Sequence, residues 1–160
     1  MKTTIILCFS IIALFAFKFA NAAIFKCVAP NGQVAYSNVI QEGCVKLELE
    51  WEKISESSDK ATYYGDRDTI RKNGDRVKMW NLVDFKSVQN DGSDKQFLST
   101  KMLTEFDCQE EKYRSLALIF HSENMGAGKV VYSNSDPQKW EPVSPRSMSE
   151  VMLKFACGIS

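Results

Sequence analysis

Gln96-Phe97-Leu98-Ser99-Thr100-Lys101-Met102-Leu103-Thr104-Glu105-Phe106-Asp107 reads as a β-strand. Successive side chains of a strand point to opposite sides of its sheet. Leu98, Met102 and Phe106 therefore share one face, which continues to Cys108, while Ser99, Lys101, Glu105 and Asp107 share the other. This alternation predicts one dry face and one wet face, the pattern of an antiparallel sheet with a single buried side.

Neighbouring segments repeat the pattern. Residues 49–55, 61–66, 75–86, 113–122 and 129–134 are further candidate strands, with turn chemistry at Asn73-Gly74 and at Asn90-Asp91-Gly92-Ser93-Asp94. Strands at this spacing, without long helices between them, form an antiparallel meander rather than βαβ units. In 75–86, Val77, Met79, Val83 and Phe85 fall together and Trp80 and Leu82 lie opposite, so the second face is partly apolar near its middle.

The period changes near the C-terminus. Ser147-x-x-Glu150 is a capping-box signature, and Val151, Met152, Phe155, Ala156 and Ile159 recur at helical spacing. Pro142 and Pro145 precede a helix at about 146–157, Gly158 ends it, and its apolar side is expected to cover the dry face.

At the other end, Ile24–Val28 and residues 33–37 flank Ala29-Pro30-Asn31-Gly32 and read as a β-hairpin, followed by an irregular return over 38–45. The fold class expected is α+β, mainly β: an antiparallel sheet of about six strands, a C-terminal helix packed on one face, and an N-terminal disulfide-bonded β-hairpin.

Ahead of the hairpin, Met1-Lys2, the apolar run Ile5 to Phe17 and Ala20-Asn21-Ala22 form a signal-peptide pattern. Lys18 closes the run before the ~20 apolar residues a membrane span needs. The expected organisation is a signal peptide at 1–22, a small hairpin unit at 23–47 and a larger domain at 48–160, with no membrane span after cleavage. The whole sequence has 20 basic and 20 acidic residues, and cleavage removes Lys2 and Lys18. So even a balance argues against nucleic acid as a partner, because binding it requires concentrated positive charge.

Cys8 leaves with the leader, and Cys27, Cys44, Cys108 and Cys157 remain. An even count in an exported chain indicates bridges. Three pairings are possible; Cys27–Cys44 with Cys108–Cys157 is favoured, because the first pair brackets the hairpin unit and the second the rest. Loop closure then contributes about 3 and about 4 kcal/mol, respectively. No two of these cysteines lie close enough for a structural zinc site, and C-x-x-C is absent.

No catalytic constellation is legible, and neither a cofactor nor a metal is expected. His121, the single histidine, sits on a strand in alternation with Ile119 and Ala117 and reads as a partly exposed strand residue. Asp66-Arg67-Asp68 and Glu110-Glu111 read as turns and solvated ends. Residues 90–94 lack the spaced acidic series of a calcium loop, and Met125-Gly126-Ala127-Gly128-Lys129 lacks the spacer and hydroxyl residue of a phosphate loop. Cationic side chains surround the turn in Arg71-Lys72-Asn73-Gly74-Asp75-Arg76-Val77-Lys78-Met79-Trp80. Arg71, Lys72, Arg76, Lys78 and Trp80 form a candidate contact surface, since Arg and Trp are favoured at interfaces; the alternative is a solvated hairpin whose Trp packs in the core.

Trp51-Glu52-Lys53-Ile54, Tyr63-Tyr64-Gly65-Asp66, Ile70, Val77-Lys78-Met79-Trp80, Glu105-Phe106-Asp107-Cys108, Tyr113-Arg114, Trp140-Glu141-Pro142-Val143 and Lys154-Phe155-Ala156-Cys157 resemble the surface-adhesin protein E-like domain of Gram-negative bacteria. The resemblance implies a helix-backed antiparallel sheet, a Cys108–Cys157 bridge, and an envelope protein that dimerises and binds host matrix or plasma proteins. Ile24-Phe25-Lys26-Cys27 with Asn31-Gly32-Gln33-Val34-Ala35-Tyr36-Ser37 is similar to a short hairpin domain of unknown function on exported bacterial proteins. The founding adhesin is a lipoprotein, whereas Cys8 follows Leu7 inside the apolar run, away from the cleavage site. The expectation is a non-enzymatic, exported binding module at the periplasm or cell surface. Its alternatives are a soluble periplasmic structural or inhibitor-type protein with no host partner, and an unrecognised hydrolase.

Overall fold

The computed structural model describes residues 23–159 other than Asn38, Ile40, Ser58, Asp59, Asp91 and Ser93. The expected leader and part of the 90–94 turn lie outside these residues. The described chain forms strands β1 (Ile24–Val28), β2 (Val34–Ser37), β3 (Cys44–Leu47), β4 (Glu52–Glu56), β5 (Ala61–Gly65), β6 (Arg71–Asn73), β7 (Arg76–Asn90), β8 (Gln96–Asp107), β9 (Lys112–His121), β10 (Val130–Asn134) and β11 (Glu141–Pro142), then helix α1 (Met148–Cys157). The main sheet is antiparallel along β10-β9-β8-β7-β5-β4, with β6 on β7 and β11 on β9. This is the mainly β architecture expected, with one α-helix among the described residues, at the C-terminus.

Helix α1 starts where its chemistry dictates. The Ser147 hydroxyl accepts from the Glu150 amide, while the Glu150 carboxylate accepts from the Arg146 amide, one residue earlier than a standard capping box. Gly158 closes the helix in the left-handed region, at φ 74°, a conformation that costs glycine no Cβ clash. Met152, Leu153 and Ala156 point into the sheet and pack with Val77, Met79 and Phe106. Each such side chain contributes about 1.5–3 kcal/mol by leaving water, the small alanine less. A disulfide joins Cys108, just past β8, to Cys157 in the last turn, with the Cα atoms 6.0 Å apart.

The opposite face departs from the expectation of a wet surface. Ser99, Lys101 and Glu105 are all buried: the 123–126 turn bonds to Ser99 and Lys101, Arg114 covers Glu105, and the N-terminal residues fold back over the apolar middle of the face. The 38–45 return contains the start of a true strand: β3 pairs with β1, making a three-stranded sheet in the order β2-β1-β3. Cys27 and Cys44 stand directly opposite each other in that pairing, Cα atoms 4.1 Å apart, and are bridged. Ile24 enters a second core with Trp80, Leu103, Ala117 and Ile119, flanked by Tyr36, Leu47, Leu49 and Trp51. The main sheet is thus buried on both sides, by a helix on one and a small sheet on the other.

Candidate binding cleft

Strand register assembles the site. Arg71 on β6 faces Lys78 on β7, which faces Glu105 on β8, which faces Arg114 on β9. One row across four strands therefore carries two adjacent cations, a carboxylate and a third cation. Glu105 is only 4% exposed; Arg114 grips it through Nε at 2.7 Å and a terminal nitrogen at 2.6 Å, and the Lys78 amine lies 3.7 Å away. Burying a carboxylate requires such pairing, since an isolated charge would cost far more. The Arg114 guanidinium also lies 4.5 Å from the centre of the Trp140 ring, with Arg76 at 5.4 Å from the same ring, geometry in which the ring's negative face attracts a cation.

The next row is apolar: Trp80 opposite Leu103, which is opposite Ala117. Above it stands the N-terminal sheet, whose Tyr36 meets Trp80 edge to face with ring centres 5.0 Å apart. Burial holds the Tyr36 phenol above its ordinary pKa. Between the two sheets opens a cleft of about 510 Å³ lined by Lys26, Tyr36, Arg71, Lys78, Trp80 and Arg114, among others.

The sequence-derived contact residues divide. Arg71, Arg76 and Lys78 are exposed, and Arg71 and Lys78 line the cleft. Lys72 is also exposed but pairs in register with Val77 on the other face, where its amine donates to the Cys157 carbonyl at the end of α1. Trp80 is 3% exposed and forms the floor between the sheets. Lys26 and Arg114 escaped the sequence reading. They are distant in sequence from the 71–80 turn: register across the main sheet brings Arg114 to it, and the packing of the N-terminal sheet brings Lys26.

A polar cluster lies farther along the same face. The Lys101 amine donates to the Gly126 carbonyl at 3.1 Å, and Ser99 accepts from the Gly126 amide at 2.8 Å while donating to the Glu123 carbonyl. Burial pushes the Lys101 amine down to about 8. His121, expected to be partly exposed, is fully buried; desolvation, reinforced by the Lys101 charge, pushes it down to about 3. Both its ring nitrogens lack a hydrogen-bond partner among the described residues, so the imidazole is neutral and no partner activates it. Asp66, also buried, accepts from the Glu50 and Asp68 amides and caps a short 3-10 turn. No group of three or more His, Cys, Asp or Glu among the described residues is placed to hold a metal.

The architecture is thus a helix-backed antiparallel sheet bridged to its helix, a small disulfide-bonded sheet laid on its other face, and a cationic, aromatic-floored cleft between the two. Residues 51–158 match the family described as surface-adhesin protein E, and the chain belongs to that family. Residues 11–61 match a domain of unknown function (DUF4124). Among solved structures, Haemophilus influenzae protein E is similar at a TM-score of 0.51 and 12% identity, over 70% of this chain and 86% of that one. Its second crystal form gives 0.49 and 14%, over 71% and 96%. At 12% identity the first likeness is one of fold. No curated protein matches the chain.

Proposed function

We propose that this protein is an exported, non-enzymatic binding module of the bacterial envelope that acts by protein–protein contact, with host matrix or plasma proteins as partners. Membership of the surface-adhesin family over 51–158 carries the reading. The exposed Arg71, Arg76 and Lys78 beside the cleft supply a contact surface of the composition that interfaces favour. Cleavage after Ala22 and a homodimer belong to the same proposal. The test is to fractionate cells, determine the mature N-terminus by mass spectrometry, and measure retention of purified matrix and plasma proteins on the immobilised mature chain. Surface-accessible protein that retains at least one of them is the expected result. Protein inaccessible on intact cells that retains none would overturn the reading in favour of a soluble periplasmic role, which the position of Cys8, away from the cleavage site, already supports.

A further inference from the structure

The cleft between the two sheets has a chemistry more specific than a general contact surface. Lys26 enters from the N-terminal wall, and Arg71, Lys78 and Arg114 from the main sheet; no Asp or Glu is among its lining residues. Glu105 beneath them is already held by Arg114 and Lys78. Neither Lys26 nor Arg71 has an ion-pair partner among the described residues, and the polar contacts of Arg71 are to the Asp68 and Ile70 carbonyls. Arg71 and Lys78 are like charges placed directly opposite, an arrangement that destabilises a sheet unless an anion bridges it. The floor of Tyr36, Trp80, Leu103 and Leu116 is apolar and aromatic. A ligand that satisfies both parts must pair negative charge with an apolar body. Polysulfated glycans and nucleic-acid backbones offer the charge but leave the floor unused.

We propose that the cleft takes a short acidic peptide segment, seating an apolar side chain on the half-buried Tyr36 and Leu116 while flanking carboxylates meet Lys26, Arg71 and Lys78. Its volume, about 510 Å³, falls within the roughly 300–1,000 Å³ of ligand sites. Lys26 and Tyr36 precede the residues that match the adhesin family, 51–158, so this site belongs to the combination of the two sheets. The proposal rests on the protein-binding reading above and gives it a ligand class.

The experiment titrates the oxidised mature chain with a capped peptide of alternating glutamate and leucine, by calorimetry and tryptophan fluorescence. A lysine–leucine peptide of equal length and a heparin-derived oligosaccharide serve as comparators. The acidic peptide alone should bind, more weakly by several-fold at high salt, and Lys26→Glu with Arg71→Glu should weaken it at least tenfold while Lys60→Glu leaves it unchanged. Arg71→Glu places a carboxylate opposite Lys78, so the fold should tolerate it; Lys26→Gln with Arg71→Gln, expected to weaken binding several-fold, is the milder check. Absence of acidic-peptide binding, binding indifferent to both double variants, or binding of the oligosaccharide in its place overturns the proposal. Absence of peptide binding in a parent chain that still retains matrix or plasma proteins would sink the cleft and spare the adhesion reading; peptide binding in a chain that retains none of those proteins would do the reverse.

Discussion

Replacing His121 by leucine should make the protein markedly more resistant to acid. The imidazole is fully buried, its pKa pushed down to about 3 from an ordinary 6.5. A base whose folded pKa is depressed takes up its proton more readily in the unfolded chain, so stability falls as pH drops from 6.5 toward 3. Across that whole window the depression is worth about 5 kcal/mol, and by pH 4 about 3 kcal/mol of it has been lost, at 1.36 kcal/mol per pKa unit. Leucine has nothing to protonate and carries no unpartnered ring nitrogens. The assay is urea unfolding at pH 7 and pH 4 with both disulfides intact. His121→Leu should match or exceed the parent at pH 7, since an unsatisfied buried polar atom costs about 1–3 kcal/mol. Between pH 7 and pH 4 it should lose about 3 kcal/mol less than the parent does. Equal losses in both proteins would refute the reasoning, because they would assign acid sensitivity to other groups.

Gly126→Ala should destabilise by about 2–3 kcal/mol in the same unfolding assay: φ is +69° there and a Cβ would lie 1.9 Å from the Lys101 Cε. Cys108→Ala with Cys157→Ala should cost about 4 kcal/mol, from the 49-residue separation of the bridge; a thermal midpoint within a degree of the parent's would contradict that. Leu153→Ala should cost about 2–5 kcal/mol, because the side chain is 3% exposed between α1 and the sheet. Deleting 23–47 should bare Trp80, Leu103 and Ile119 and drive self-association, which sedimentation velocity reads directly; a monodisperse monomer would show that the second face needs no cover.

Local chemistry explains what could be read from the chain without coordinates. The α1 boundaries follow from Ser147, Glu150 and Gly158, and the strand spans from alternation and turn residues, all within a few positions of one another. The two bridges agree with the pairing favoured on bracketing. Strand β3 is not legible in the sequence, because its four residues show little alternation and its pairing with β1 is made across a turn and a strand. Leu103 was the signal overlooked on β8: an apolar residue on the face assigned to water marks a second cover.

Composition and order of residues were enough to specify an antiparallel sheet, a capped terminal helix and four cysteines suited to bridging, because each depends on neighbours in the chain. The cleft was decided only when the chain closed on itself. Lys26, Arg71, Lys78 and Arg114 become neighbours through strand register and sheet-on-sheet packing. The same packing buries Trp80 under the N-terminal sheet, while register sets His121 opposite Ser99 and the 123–126 turn closes on Lys101. Burial and pKa are properties of that enclosure, and no single strand's pattern contains them.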